Sequence, residues 1–348
     1  MVAPPATVRT VGGHVNHRIL VTGAAGYLGS TLVEVLAARM ASRALGGDAA
    51  GAGGSVDCVV AADVREVSAE RRWPGVHYLV HDVRSPGLAG ILRRESIDTV
   101  VHLAAIVTPG PRSNRELEYA VDVQGTRNVL DACVDAGVGR LIVTSSGAAY
   151  GYHADNPAWL TEDDALRGNE AFAYSHHKRL VEEMLAQCRR EHPGLRQVIL
   201  RVGTILGETT RNQITALFEK PRLLAIRGSD SPFVFIWDRD VVGAIEHGIF
   251  SGRDGVYNVA GDGALGIREI ARRLGKRCVT LPPSLLRAVL AVLHPLGLSR
   301  YGPEQVDFLR YRPVLDNTRL KEQFGYVPKL SSAETFELYR RAHGLGPP

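Results

Sequence analysis

The 348-residue chain carries a net charge of +4, with 45% hydrophobic and 22% charged residues, the balance of an ordinary globular protein. Charges of both signs are spread along it, which argues against a nucleic-acid-binding stripe, and no apolar run approaches the roughly 20 residues of a bilayer-crossing helix. Four scattered cysteines, Cys58, Cys133, Cys188 and Cys278, fit neither a zinc site nor a disulfide framework, so a reduced, cytoplasmic protein is expected.

The first 17 residues lack the apolar core of a secretion leader and are expected to form a flexible tail. From Arg18 the pattern alternates short apolar runs with longer amphipathic stretches. Strands are expected in "RILVTG", "VDCVVAAD", "VHYLVHD", "IDTVVHLAA", "GRLIVTSS" and "RQVILRVGTILG". Helices are expected between them in "YLGSTLVEVLAARMASRAL", "ELEYAVDVQGTRNVLDACVDAG" and "EAFAYSHHKRLVEEMLAQCRREH". Runs of Val, Ile and Leu separated by helices predict an α/β fold, a doubly wound parallel sheet of the Rossmann kind. A Gly/Ala-rich insertion over 45–56 reads as a surface loop. Beyond residue 202 the rhythm weakens. The expected division is a dinucleotide-binding domain over 18–202 and a mainly substrate-binding subdomain over 203–348, with 238–261 returning to the first.

"TGAAGYLG" sets Gly23, Gly26 and Gly29 after a strand and at the start of a helix. Glycine there allows a tight turn and close approach of the backbone to a pyrophosphate, which the helix N-terminus attracts. Asp63 ends the second strand, where a carboxylate holds ribose hydroxyls and repels a 2′-phosphate, so NAD is expected over NADP; Arg65 nearby tempers that preference. Asp82 is placed to reach the adenine, or else to cap the following helix.

The chain has only five lysines, and one of them, Lys178, stands four residues after Tyr174. On a helix these two share a face. A phenol, titrating near ~10 in water, is a poor base at neutral pH, but a neighbouring ammonium and a positive nicotinamide both favour its ionised form. Ser146, closing the fifth strand, is suited to bind a substrate oxygen, whereas strand alternation turns Ser145 away. His176 and His177 diverge by about 100° on a helix, and no metal is expected.

Taken together, these motifs resemble the extended short-chain dehydrogenase/reductases, the group of nucleotide-sugar epimerases and their relatives. The resemblance rests on the glycine triplet, "HLAA" at His102–Ala105, "TSSGAAYG" at 144–151 and the Tyr174–Lys178 pair. It continues more weakly through "DRDVVGAI", "VYNVAG" and "DNTRLKEQFGYVP". It implies NAD held by Gly23, Gly26, Tyr27, Leu28, Gly29, Asp63, Asp82, Val83, Leu103, Ala104, Ala105, Tyr174 and Lys178. It also implies catalysis by Ser146, Tyr174 and Lys178, and a homodimer built on the helices at 114–137 and 171–192, with Leu180 and Met184 on their outer faces.

Four departures bear on the substrate. Gly147 and Ala148 stand where the family's dehydratases carry an acidic pair, so dehydration lacks its acid and base. Thr204 replaces an asparagine and Phe233 an arginine that meet a diphosphate. Both positions are assigned to substrate binding, and the change favours a less anionic, more apolar small molecule, with Arg211, Arg222 or Arg227 as possible compensation. Asp122 replaces an asparagine, with an effect expected to be structural. The apolar stretch 281–298 suits a buried helix, a pocket lining or a membrane-surface contact. The expected activity is NAD-dependent interconversion of a secondary alcohol and a ketone; the alternatives are a nucleotide-sugar 4-epimerase and a non-catalytic NAD(H)-sensing scaffold.

Overall fold

In a computed structural model, residues 9–11, 14–44, 54–107, 114–299 and 302–346 are described. Most of the expected tail and of the 45–56 insertion lies outside them. The elements run β1 (Arg9–Val11), β2 (His14–Thr22), α1 (Tyr27–Ala44), β3 (Ser55–Asp63), β4 (His77–Val80), α2 (Leu88–Arg94), β5 (Thr99–His102), α3 (Arg115–Tyr119), α4 (Gly125–Ala136), β6 (Arg140–Ser146) and α5 (Ala173–Glu191). They continue as β7 (Arg196–Val202), β8 (Thr204–Leu206), α6 (Thr215–Phe218), β9 (Arg222–Ile226), β10 (Phe235–Trp237), α7 (Asp238–Phe250), β11 (Gly255–Val259), α8 (Ile267–Arg273), β12 (Arg277–Leu281), α9 (Pro283–Leu293), α10 (Gln305–Arg310) and α11 (Ser332–Ala342).

The main sheet has the strand order β11-β7-β6-β5-β2-β3-β4. Its strands are parallel, and the order reverses direction beside β2, as in doubly wound folds. The strand β2 starts at His14 rather than Arg18, and β1 pairs with its beginning in antiparallel fashion. Because helices cover both faces, β5 is buried at all four of its positions, the burial that continuous apolar runs predict.

By compactness the chain divides into two units. One holds the residues up to Ser145 together with 177–201 and 241–257; the other holds 146–176, 202–240 and the residues from Asn258 on. The core of the first joins Leu20, Val60, Val100, Leu141 and Ile199 of the sheet to Val129, Cys133, Met184, Leu185 and Cys188 of the helices. Each such side chain contributes about 1.5–3 kcal/mol by leaving water. Met184 and Leu180 therefore pack inward, not on an outer face, which is left to Glu183, Gln187 and Arg190 on α5. The second unit is centred on aromatic side chains: Phe218, Phe233, Phe235, Phe336 and Tyr339.

Two helical segments differ from what the sequence predicts. The long one after β5 is interrupted by a π turn, Ala120–Gln124, between α3 and α4, and ends at Gly137 with φ 70°. The helix α9 has no buried residue, and Leu285, Val289 and Val292 are exposed on it. It is not a core helix, because one apolar stripe lacks a covering element among the described residues.

Candidate functional site

The first unit assembles a cradle at the carboxyl end of its sheet. Gly23 has φ 71°, and a Cβ there would lie 2.7 Å from the Ala104 nitrogen. Only glycine lets the β2–α1 turn come that close to the end of β5. A Cβ on Gly29 would collide with the Gly23 carbonyl oxygen. The Gly26 amide donates to that same oxygen at 2.9 Å, closing the turn just ahead of α1. Asp63, 7% exposed, accepts from the Ala25 amide at 2.9 Å through Oδ2, and from the Arg65 amide at 2.9 Å through Oδ1. The acid that ends β3 is thus bonded to the glycine turn itself. Arg65 also pairs with it through Nε at 3.2 Å. These features fit a dinucleotide: a glycine cradle that a Cβ would fill, at the start of a helix, with a carboxylate alongside.

Asp82 does not cap α2, whose N-cap is Gly87. The Arg84 guanidinium beside it holds its carboxyl below the usual range. Asn128 of α4 donates to the carbonyls of Val83 (2.7 Å) and Ser85 (2.8 Å), fixing this loop. His102 lies between two threonines, with Thr22 Oγ1 at 2.7 Å from Nδ1 and Thr126 Oγ1 at 3.0 Å from Nε2. The Thr126 hydroxyl donates to the Asp122 carbonyl at 2.6 Å, so its oxygen accepts from Nε2–H and Nδ1 accepts from Thr22. Burial pushes His102 down to about 4 and keeps it neutral. Lys178 is 7% exposed and donates to the Thr144 carbonyl at 3.0 Å.

Helix α5 carries Tyr174 one turn before Lys178. At the end of β6 the two serines part as alternation requires. Ser145 Oγ donates to Glu182 at 2.5 Å, and Glu182 is itself neutralised by Arg201 at 2.7 Å. Ser146 Oγ accepts from the Ala148 amide at 3.2 Å and caps the turn 147–150. Ser175, next to Tyr174, donates to the Ala148 carbonyl at 2.6 Å, so the start of α5 is bonded to the same turn.

Phe233 is 2% exposed and packs in the aromatic core of the second unit. Its ring is covered by the Arg312 guanidinium at 4.0 Å, which also lies 4.8 Å from the Phe308 ring. The side chain that covers this ring is thus a cation. Tyr152 continues the stack against Phe308 and Phe172, at 4.8 and 5.6 Å. Burial raises the Tyr152 phenol, Arg312 lowers it, and Tyr174 lies close enough to raise it. Arg312 is drawn down to about 10 by burial, stays charged at neutral pH, and its Nε has no hydrogen-bond partner in the described structure. No local spacing announces Arg312 beside Phe233, since only the fold carries it there from beyond α10. Thr204 starts β8, and its amide donates to the Val234 carbonyl at 3.1 Å.

Among the described residues, Cys58, His77 and Glu95 come near enough to share a metal ion. Burial raises the Cys58 thiol, and Arg94, with His77, engages Glu95, so the group is not poised as a ligand set.

Residues 19–229 match the sequence pattern of the NAD dependent epimerase/dehydratase family. The chain belongs to that family. Its cofactor is NAD. An uncharacterized protein of Mycobacterium tuberculosis is 28% identical over 333 residues, covering 94% of this chain and 85% of that one. A 3beta-hydroxysteroid-dehydrogenase/decarboxylase of Arabidopsis thaliana is 26% identical over 73% of this chain and 49% of its own length. Among solved structures, UDP-glucose 4-epimerase of Thermotoga maritima with UDP-glucose shares the fold at TM-score 0.67 and 20% identity, covering 94% of this chain and 98% of that one. A short-chain dehydrogenase/reductase superfamily protein of Agrobacterium tumefaciens with bound NAD does so at TM-score 0.65 and 22% identity, covering 94% and 97%.

Proposed function

We propose that the protein catalyses reversible oxidation of a secondary alcohol to a ketone, with Tyr174 as the group that takes and returns the hydroxyl proton. The observation that carries this reading is the placement of Tyr174 and Lys178 one turn apart on α5, with the start of that helix bonded through Ser175 to the turn that Ser146 caps. NAD supplies the hydride acceptor at its nicotinamide C4. Lys178 orients the nicotinamide ribose and, as an ammonium, favours the Tyr174 phenolate. The Ser146 oxygen accepts from Ala148 and retains its proton for the substrate oxygen. Gly147 and Ala148 offer no acid or base for loss of water, which supports alcohol oxidation over dehydration.

Arg312 adds a requirement that the substrate carry an anionic group, a phosphate or carboxylate, which a guanidinium recognises through directed hydrogen bonds. That favours one second reading, 4-epimerisation of a nucleotide sugar, in which the same oxidation is followed by hydride return to the opposite face. Net NADH formation separates the two. The purified protein would be incubated with UDP-glucose and with carboxylate-bearing secondary alcohols, following NADH absorbance and the sugar configuration by NMR. NADH accumulation supports the dehydrogenase, and UDP-galactose formed without NADH supports the epimerase. In either case Tyr174→Phe should lower turnover by about 10²–10⁴-fold with NADH binding retained; full activity in that variant would refute the assignment.

A further inference from the structure

The second unit leaves bare an apolar surface that the chemistry proposed above does not use. Strands β9 and β12 pair in parallel, with Leu224 beside Val279 and Arg222 beside Arg277. Leu223 and Ala225 of β9 pack with Ile270 and Ala271 of α8. Alternate side chains of a strand point the other way, and there Leu224 and Val279 are exposed. Parallel strands are as a rule covered on both faces, so this outer face lacks a partner among the described residues. The chain then passes through Pro282 into α9. Leu285, Val289 and Val292 recur at helical spacing on one side of it and are exposed. The adjoining side is half-buried through Leu286, Leu290 and Leu293, and Arg287 ties the helix to Asp307 of α10 at 2.5 Å. The bare stripe thus belongs to an anchored helix. Past its end, the Gly297 amide donates to the His294 carbonyl and the Leu298 amide to the Leu293 carbonyl, at 3.0 Å each. In such a closed turn the residue after glycine ordinarily folds back on the helix. Here Leu298 is 73% exposed and Leu296 64%.

A second, independent observation gives the charge of the partner. Arg222 and Arg277 are exposed directly opposite each other, an arrangement that costs a sheet stability. Neither enters an ion pair among the described residues. From Lys276 to Ser299 the chain carries Lys276, Arg277 and Arg287 and no acidic residue. A second copy of the chain suits this surface poorly, because a two-fold interface sets a patch against itself and here would bring basic groups together. The stripe is aliphatic throughout and lacks the aromatic anchors of protein interfaces. An anionic lipid surface meets both features: its acyl region takes aliphatic side chains, and its phosphates take the arginines. No helix among the described residues is long and apolar enough to cross a membrane, so the contact lies along the surface.

We propose that the outer face of β9 and β12, together with the α9 stripe, is a docking surface for an anionic lipid bilayer. Leu285, Val289, Val292, Leu296 and Leu298 enter the acyl boundary, while Arg222 and Arg277 meet lipid phosphates.

The experiment is co-sedimentation of the full chain, NAD present, with vesicles of phosphatidylcholine alone and of phosphatidylcholine mixed with phosphatidylglycerol. Binding should be at least about tenfold tighter to the mixed vesicles and should weaken with added salt. Leu285→Ser combined with Val292→Ser should lower it at least about tenfold, and Arg277→Gln about fivefold, with NADH affinity unchanged in both. Arg277→Gln should leave urea unfolding in place or move it to higher urea, because it relieves the pairing with Arg222. No binding to the mixed vesicles, equal binding to the two kinds, or full binding by the double serine variant overturns the proposal. So does a change from dimer to monomer in that variant by light scattering, which would put a second copy on the stripe. If the double variant does not fold, Leu298→Ser, beyond the helix end, makes the same comparison, and full binding there overturns the proposal equally.

Discussion

Replacing Arg312 by methionine removes a charge and keeps an unbranched chain of similar length. Burial draws the guanidinium down to about 10, equivalent to a desolvation cost on the order of 3 kcal/mol. Against this stand two ring contacts, Phe233 at 4.0 Å and Phe308 at 4.8 Å, each contributing about 0.5–2 kcal/mol. The opposing effects are of similar size, so Arg312→Met should change unfolding free energy by no more than about 2 kcal/mol in either direction. A ligand anion would lose a charge-assisted hydrogen bond of roughly 1.5–3 kcal/mol, a fall in affinity of about tenfold or more. Urea unfolding at neutral pH measures the first quantity. Calorimetric titration with UDP-glucose and with pyrophosphate, NAD present throughout, measures the second. Destabilisation above about 3 kcal/mol together with unchanged anion binding would show that Arg312 is a structural strut, and the anionic-substrate reasoning would be refuted.

Gly23→Ala should destabilise the protein by about 2–3 kcal/mol, from the positive φ and the overlap with Ala104, and weaken NADH binding at least about tenfold; an unchanged melting temperature would count against the close approach. His102 supplies the pH test. Its folded-state value is held near 4 by burial, below the ordinary 6.5, so between these values the unfolded chain binds more protons. Stability is therefore whole above about pH 6.5 and declines toward pH 4 by up to about 3 kcal/mol. His102→Asn should flatten that decline in urea unfolding at several pH values, and an equally steep profile would sink the account.

The strand–helix alternation was readable because buried parallel strands demand continuous apolar runs, and β5 and β7 have them. The glycine turn was readable because Gly23 and Gly29 answer a local steric demand, and the Tyr174–Lys178 relation because helical spacing places i and i+4 together. Other features were not local. The π turn adds one residue to a helix without any mark in the periodicity. The family resemblance implied an outer-face position for Met184 in a homodimer, yet burial of α5 extends around to it. The two histidines of α5 were set aside as metal ligands; nothing nearby in sequence announces that His177 meets Asp122, 55 residues away.

By itself the sequence determined the fold class, the dinucleotide turn and the face of α5 that carries Tyr174 and Lys178, since each follows from spacing within one element or one turn. Tertiary structure alone decided which side chain covers position 233. A phenylalanine at 233 reads as a lost cation, but packing in the second unit lays Arg312, 79 residues on, across its ring, because a desolvated guanidinium gains most by stacking on aromatic faces.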